Sequence, residues 1–258
     1  LVGSEMCIRD RLYTPFATAA AVFLLAGIVP VLVWPKEPSS EEQPHTAMSA
    51  HMLMERFRAP RHAVEFWKAF ASRSLVSAGV GLTTMFLWFI ASALIFRDWF
   101  TQGNSSPIAV PVCSLIASMA LATLVGSVGA AFIAGPVGEY IEDPRYLSVI
   151  SCVLYTVALA LPMTMPSAVS MVLFALIGGF AFGLIDTFGQ LLAMGALPDA
   201  RSAGHDLAFF NLSNSVGLAL AAIIGAVGVA VTGGFSVLFP AAIVCVLASA
   251  VVTISMKR

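Results

Sequence analysis

The chain has 258 residues, of which 59% are hydrophobic and only 10% charged, with a formal net charge of -1 at pH 7 and a mean hydropathy of +0.93. Ordinary soluble domains carry about 25% charged residues, so a water-soluble fold is excluded and an all-α polytopic membrane protein is expected. With no basic patch outside one loop, nucleic acid is excluded as a partner and the lipid bilayer takes its place.

Taken in order, residues 1–11 (LVGSEMCIRDR) resemble translated sequencing adaptor rather than native protein, and are set aside. The native product is therefore expected to begin upstream, which makes this chain a fragment. Seven apolar runs follow, at 12–34, 74–96, 107–135, 146–166, 168–194, 206–231 and 235–256. Each is long enough, at about 20 residues, to cross a bilayer as a helix. Helices are required because unpaired backbone groups cannot face lipid. The third run is overlong and is expected to tilt, or to stop at Gly135-Pro136.

One linker, 35–73, is long. It opens as PKEPSSEEQP, a composition typical of disorder. From 48 to 70 it places Phe57, Phe66, Trp67 and Phe70 among basic residues, the pattern of a helix lying on the membrane surface. The linker, the loops holding Arg145 and Arg201, and the C-terminal Lys257-Arg258 share one side and carry ten Lys/Arg; the other side has Arg97 alone. The positive-inside rule then puts the long linker and the C-terminus in the cytoplasm and the start of the fragment outside.

Few residues in the spans can carry chemistry. Asp186 sits inside an apolar run, where an uncompensated carboxylate costs about 2.5 kcal/mol or more. It is expected to line an interior cavity as a proton-coupling or solute-binding group, with Gln190 one turn on along the same face. The structural alternative is a neutral acid bonded to a neighbouring helix. Asn211 and Asn214, three apart, either bind solute as well or hydrogen-bond between helices. Asp206 is expected to N-cap its helix, with Arg201 as a nearby loop charge; a role for them in a cytoplasmic gate is the alternative. Arg73 is expected to act as a snorkelling anchor at the interface. Gly126 and Gly129, Gly178, Gly179 and Gly183, then Gly217, Gly225 and Gly228 form small-residue faces for close helix approach. No Cys/His spacing suits a metal, no cofactor motif is present, and no nucleophile stands with a base, so an enzyme is not expected.

An entry span, a long cytoplasmic linker and six further spans form the layout of the C-terminal half of the major facilitator superfamily. The stretch FWKAFASRSLVSAGVGLTTMFLWF (66–89) resembles that superfamily's entry into helix 7. Asp186 followed by LPDARSAGHDLAFFNLSNSVG is similar to the helix 10 to helix 11 junction of sugar-symporter-like members. The superfamily's Gly-x-x-x-Asp-Arg-x-Gly-Arg-Arg loop departs here: Glu139 takes the acidic place, Tyr140 replaces the Arg, and Arg145 is the remaining base; the resemblance implies that these charges latch a cytoplasmic gate.

The resemblance implies that 12–34 is helix 6 of the parent, 35–73 its central loop and 74–258 its C-terminal six-helix bundle. It further implies proton-coupled symport of a small polar, sugar-like solute across the cytoplasmic membrane. Its partners are that solute, a coupling ion and the missing N-terminal half of the same chain. A drug-type exporter of the same fold is the alternative; a seven-helix receptor is a more distant one.

Overall fold

The computed structural model describes residues 63–101, 109–141, 143–196 and 203–256, together with 17, 20–29 and 32–33. The expected adaptor segment 1–11, the linker up to residue 62, Arg201 and Lys257-Arg258 lie outside the described residues. The chain divides into two units, Leu1–Ala50 and His51–Arg258. In the first, the described part of the run at 12–34 is a short apolar helix, α1 (Ala20–Val29), with exposed side chains.

In the second unit every regular element among the described residues is helical. The helices are α2 (Val64–Thr84), α3 (Leu87–Thr101), α4 (Ala109–Tyr140), α5 (Pro144–Thr164), α6 (Ala168–Gly195), α7 (Ala203–Thr232) and α8 (Leu238–Ile254), the last entered by a 3-10 turn, Phe235–Val237. Five of them are long and apolar enough to cross a membrane, and a sixth span arises if the bent pair α2–α3 is one crossing. The molecule is thus an all-helical protein whose spans fit a multi-pass membrane protein.

Three details differ from the expectations drawn above. Helix α2 begins at Val64, ten residues before the apolar run, because Phe66 and Ala69 are core residues. Residues 64–70 are therefore the first turns of α2, continuous with the apolar run; the rest of the expected surface helix lies outside the described residues. Second, that span breaks at Met85-Phe86, where α2 and α3 meet at 41°. The hydroxyls of Thr83 and Thr84 both donate to the Val80 carbonyl, at 2.9 and 3.0 Å. Such back-bonding competes with the helical amide and bends helices. Third, α4 runs through Pro136 to Tyr140. Pro136 stands four residues before the end of α4, so the one ladder bond its missing N–H removes is near the helix terminus.

Packing follows a two-fold rule. Helix α4 lies along α6, and α7 along α2; α5 packs on α6, and α8 on α2; α5 and α8 pack on each other. Exchanging α2 with α6, α4 with α7 and α5 with α8 leaves that pattern unchanged. The correspondence holds residue by residue. Buried Leu147, Ser148, Ser151 and Tyr155 of α5 are matched 91 positions on by buried Leu238, Phe239, Ala242 and Val246 of α8. A Cβ on Gly126 of α4 would collide with Leu176 O and Phe180 N of α6; one on Gly217 of α7, again 91 on, would collide with Ser74 O and Ala78 N of α2. Ser74 and Ala78 are themselves 102 positions before Leu176 and Phe180. Likewise Gly183 meets Ala130 Cβ, and Gly81 meets Ala221 Cβ, each at 2.8 Å from an added Cβ. The unit is an internal repeat, α2 to α5 and α6 to α8, and each copy holds three spans if the bent pair α2–α3 is one crossing. An odd number of crossings per copy makes successive copies run in opposite senses through a bilayer.

Candidate functional site

The exposed faces of the bundle are not alike. On α5 and α8 they are apolar through the span: Ile150, Val153 and Val157, then Val244, Leu247 and Val251. On α6 and α7 the exposed or half-exposed positions include Asp186, Thr187, Gln190, Asn211 and Asn214. A lipid-facing surface takes the first composition. The second costs free energy against hydrocarbon and suits a water-filled passage or a polar partner.

The centre of the polar face is an ion pair. Arg73 Nη2 lies 2.5 Å from Asp186 Oδ1, joining α2 to α6, the two helices that exchange under the repeat. The arginine side chain is 16% exposed and the carboxylate 43%. Charge-assisted bonds of this length are the strong ones. Helix α2 is held in rotation by the preceding residue: Ser72 Oγ meets Ser249 Oγ at 2.9 Å and Thr253 Oγ1 at 2.8 Å on α8, and Ser249 Oγ donates to Ser72 O at 2.9 Å. With Ser72 turned to α8, the next residue, about 100° further round the helix, turns to α6. Gly189 lies beside the guanidinium: an added Cβ would sit in ordinary contact with Arg73 Nη1, at 3.6 Å.

This arrangement corrects two expectations. Asp186 is not uncompensated, and Arg73 is its partner rather than an interfacial anchor. Gln190, one turn beyond Asp186, is half-buried on the same helix. Asn211 and Asn214 are exposed on α7, which packs along α2 and touches α6 little. Asp206 is buried in the first turn of α7, three residues inside the helix start at Ala203, so it is not the N-cap. A carboxylate there still complements the helix dipole.

The expected gate charges are arranged differently. Glu139 is exposed in the last turn of α4. Arg145 pairs with Asp143, Nη2 to Oδ2 at 2.6 Å and Nε to Oδ1 at 2.9 Å. Asp143 also N-caps α5 by accepting from Arg145 N, ahead of Pro144 at the first helical position. Arg145 Nη1 donates onward to the Met256 carbonyl, and Lys68 Nζ, paired with Glu65, donates to Ser255 O at 2.6 Å. Two cations thus close the C-terminal carbonyls of α8, where the helix dipole favours positive charge. Asp143 was not singled out in the sequence; the Asp-Pro-Arg signature of a capped helix start is the signal that marks it. Replacing Asp143 by Ala is expected to cost about 1 kcal/mol through the cap, lowering the thermal midpoint by about 2–4 °C, with Asp143→Asn losing less. Thermal unfolding of the purified protein checks this.

Two further cavities lie away from that pair, and neither is lined by Arg73 or Asp186. One of about 470 Å³ lies near the α2–α3 bend between Ile90, Leu94, Met163, Phe235 and Phe239, and no charged group lines it. Another of about 140 Å³ lies between α2, α4 and α6. Among the described residues no group of His, Cys, Asp or Glu converges to hold a metal ion. Compared with family models, curated proteins and solved structures, the chain matches none.

Proposed function

We propose that the chain is the C-terminal part of a secondary transporter of the major facilitator type. It moves a small solute across the cytoplasmic membrane by alternating access, with the segment at 12–34 as an additional, seventh span. The observation that carries the proposal is the Arg73–Asp186 pair, set between the two repeat-related helices with its carboxylate half exposed. Inverted repeats of three spans with a polar site between them suit a carrier that rocks about a fixed site. A solute group or a proton that takes Asp186 from Arg73 unties α2 from α6, which couples occupancy to helix movement. Gln190, Asn211 and Asn214 extend the polar wall along which a hydroxylated, sugar-like solute would bind. The ten-to-one asymmetry in Lys/Arg supports an outside start and a cytoplasmic C-terminus. The cations that close α8 and the buried Asp206 support a gate at the cytoplasmic end.

The apolar cavity beside α4 favours a second possibility, export of a drug-like amphiphile by the same fold. The test is uptake or efflux in the full-length protein over a panel of solutes, with and without a proton gradient. Asp186→Asn is expected to abolish gradient-driven transport while the protein still folds; unchanged transport would reassign the pair to helix packing.

A further inference from the structure

The cavity of about 140 Å³ between α2, α4 and α6 has a size and a hydrogen-bonding character that point to a ligand class. A cavity of about 150 Å³ lined by aliphatic and aromatic groups holds one benzene ring. Here Phe174, Phe182, Met119 and Leu87 supply the apolar wall, and Thr84 and Thr123 the polar atoms. Each threonine hydroxyl has one proton, and both are already spent: Thr84 Oγ1 donates to Val80 O at 3.0 Å and Thr123 Oγ1 to Met119 O at 2.9 Å. What remains on each is acceptor lone pairs. Thr83 and Tyr155 also line the wall; both are buried, and the Thr83 hydroxyl donates to the Val80 carbonyl at 2.9 Å. The cavity therefore offers acceptors and no free threonine donor.

The repeat gives the cavity a counterpart. Thr84 stands 102 positions before Asp186, the shift that relates α2 to α6, and Thr123 stands 91 before Asn214, the shift that relates α4 to α7. One copy of the repeat thus carries an acid and an amide where the other carries two threonines at the edge of an apolar hole. We propose that this cavity is a binding site for a single aromatic ring bearing a hydrogen-bond donor, a phenol by chemical class. The donor bonds to Thr84 or Thr123, and the ring packs between Phe174 and Phe182. The inference goes beyond the transport proposal and does not need it: no residue of the Arg73–Asp186 pair lines the cavity.

The experiment is fluorine NMR of 4-fluorophenol and of fluorobenzene with the purified protein in lipid nanodiscs, empty nanodiscs giving the partition background. Saturable binding of 4-fluorophenol is expected, about five-fold tighter than that of fluorobenzene because one net hydrogen bond separates them. Ala120 lines the cavity from an exposed position on α4, so Ala120→Phe fills it without burying a new group. That variant is expected to lose the saturable component at an unchanged unfolding temperature. Combining Thr84→Val with Thr123→Val is expected to bring the two probes to equal affinity. Partition alone, equal affinity in the parent protein, or full binding by Ala120→Phe would overturn the assignment, the first meaning that acyl chains own the space. Asp186→Asn is expected to keep probe binding, which separates failure of this site from failure of the transport proposal.

Discussion

Replacing Gly126 or Gly217 by valine is expected to prevent the bundle from folding stably. At both positions the first added carbon meets the backbone of the facing helix, not the tip of a side chain that could swing aside. Ordinary overpacking costs about 1–3 kcal/mol; here the whole crossing must open, so the cost lies at or above about 3 kcal/mol. One further contact at each crossing is lost with it, Gly183 on Ala130 at one and Gly81 on Ala221 at the other. Gly135 is the internal control. Nothing lies within 4 Å of its added Cβ, so Gly135→Val changes little beyond helix propensity. Yield of monodisperse protein and its unfolding temperature in detergent check all three. Equal behaviour of Gly126→Val and Gly135→Val would refute the close crossing of α4 and α6.

Arg73→Gln and Asp186→Asn are each expected to stop transport and to destabilise the protein. Removing one partner leaves the other ionised between helices with no counter-charge, which costs about 3–5 kcal/mol for a fully buried pair. Asp186 is 43% exposed, so the stability loss is smaller, on the order of 1–2 kcal/mol. The two substitutions are not equivalent. Arg73 is the more enclosed partner, so Asp186→Asn, which strands the guanidinium, is expected to destabilise more than Arg73→Gln, which leaves a carboxylate with access to water.

Much of this fold could be read in the residues themselves, for a physical reason. A span needs about 20 apolar residues, and runs of that length announce helices such as α6 and α8 with ends within a few residues. Where charge and apolarity mix, composition misleads. Phe66 and Trp67 lie among basic residues and resembled a surface helix, yet Phe66 is in the core because Lys68 turns aside to the end of α8. Pro136 reads as a stop, but it stands only four residues before the end of α4, where one ladder bond is lost. Asp186 was visible as an anomaly because an acid in an apolar run is rare. Its partner was not, since Arg73 lies a whole repeat away in sequence and only the α2–α6 contact brings them together. The repeat itself was hidden because it is carried by small residues at close crossings. Such contacts constrain volume and leave the surrounding side chains free to differ.

We propose that the Arg73–Asp186 pair, which joins α2 to α6, is released during transport. The most direct measurement is charge exchange, Arg73→Asp together with Asp186→Arg, followed by thermal unfolding beside the two single variants. A restored unfolding temperature, above both single variants and within a few degrees of the parent (about 1 kcal/mol by the usual conversion), is the predicted result. An exchange variant whose loss equals the sum of the two single losses would contradict it.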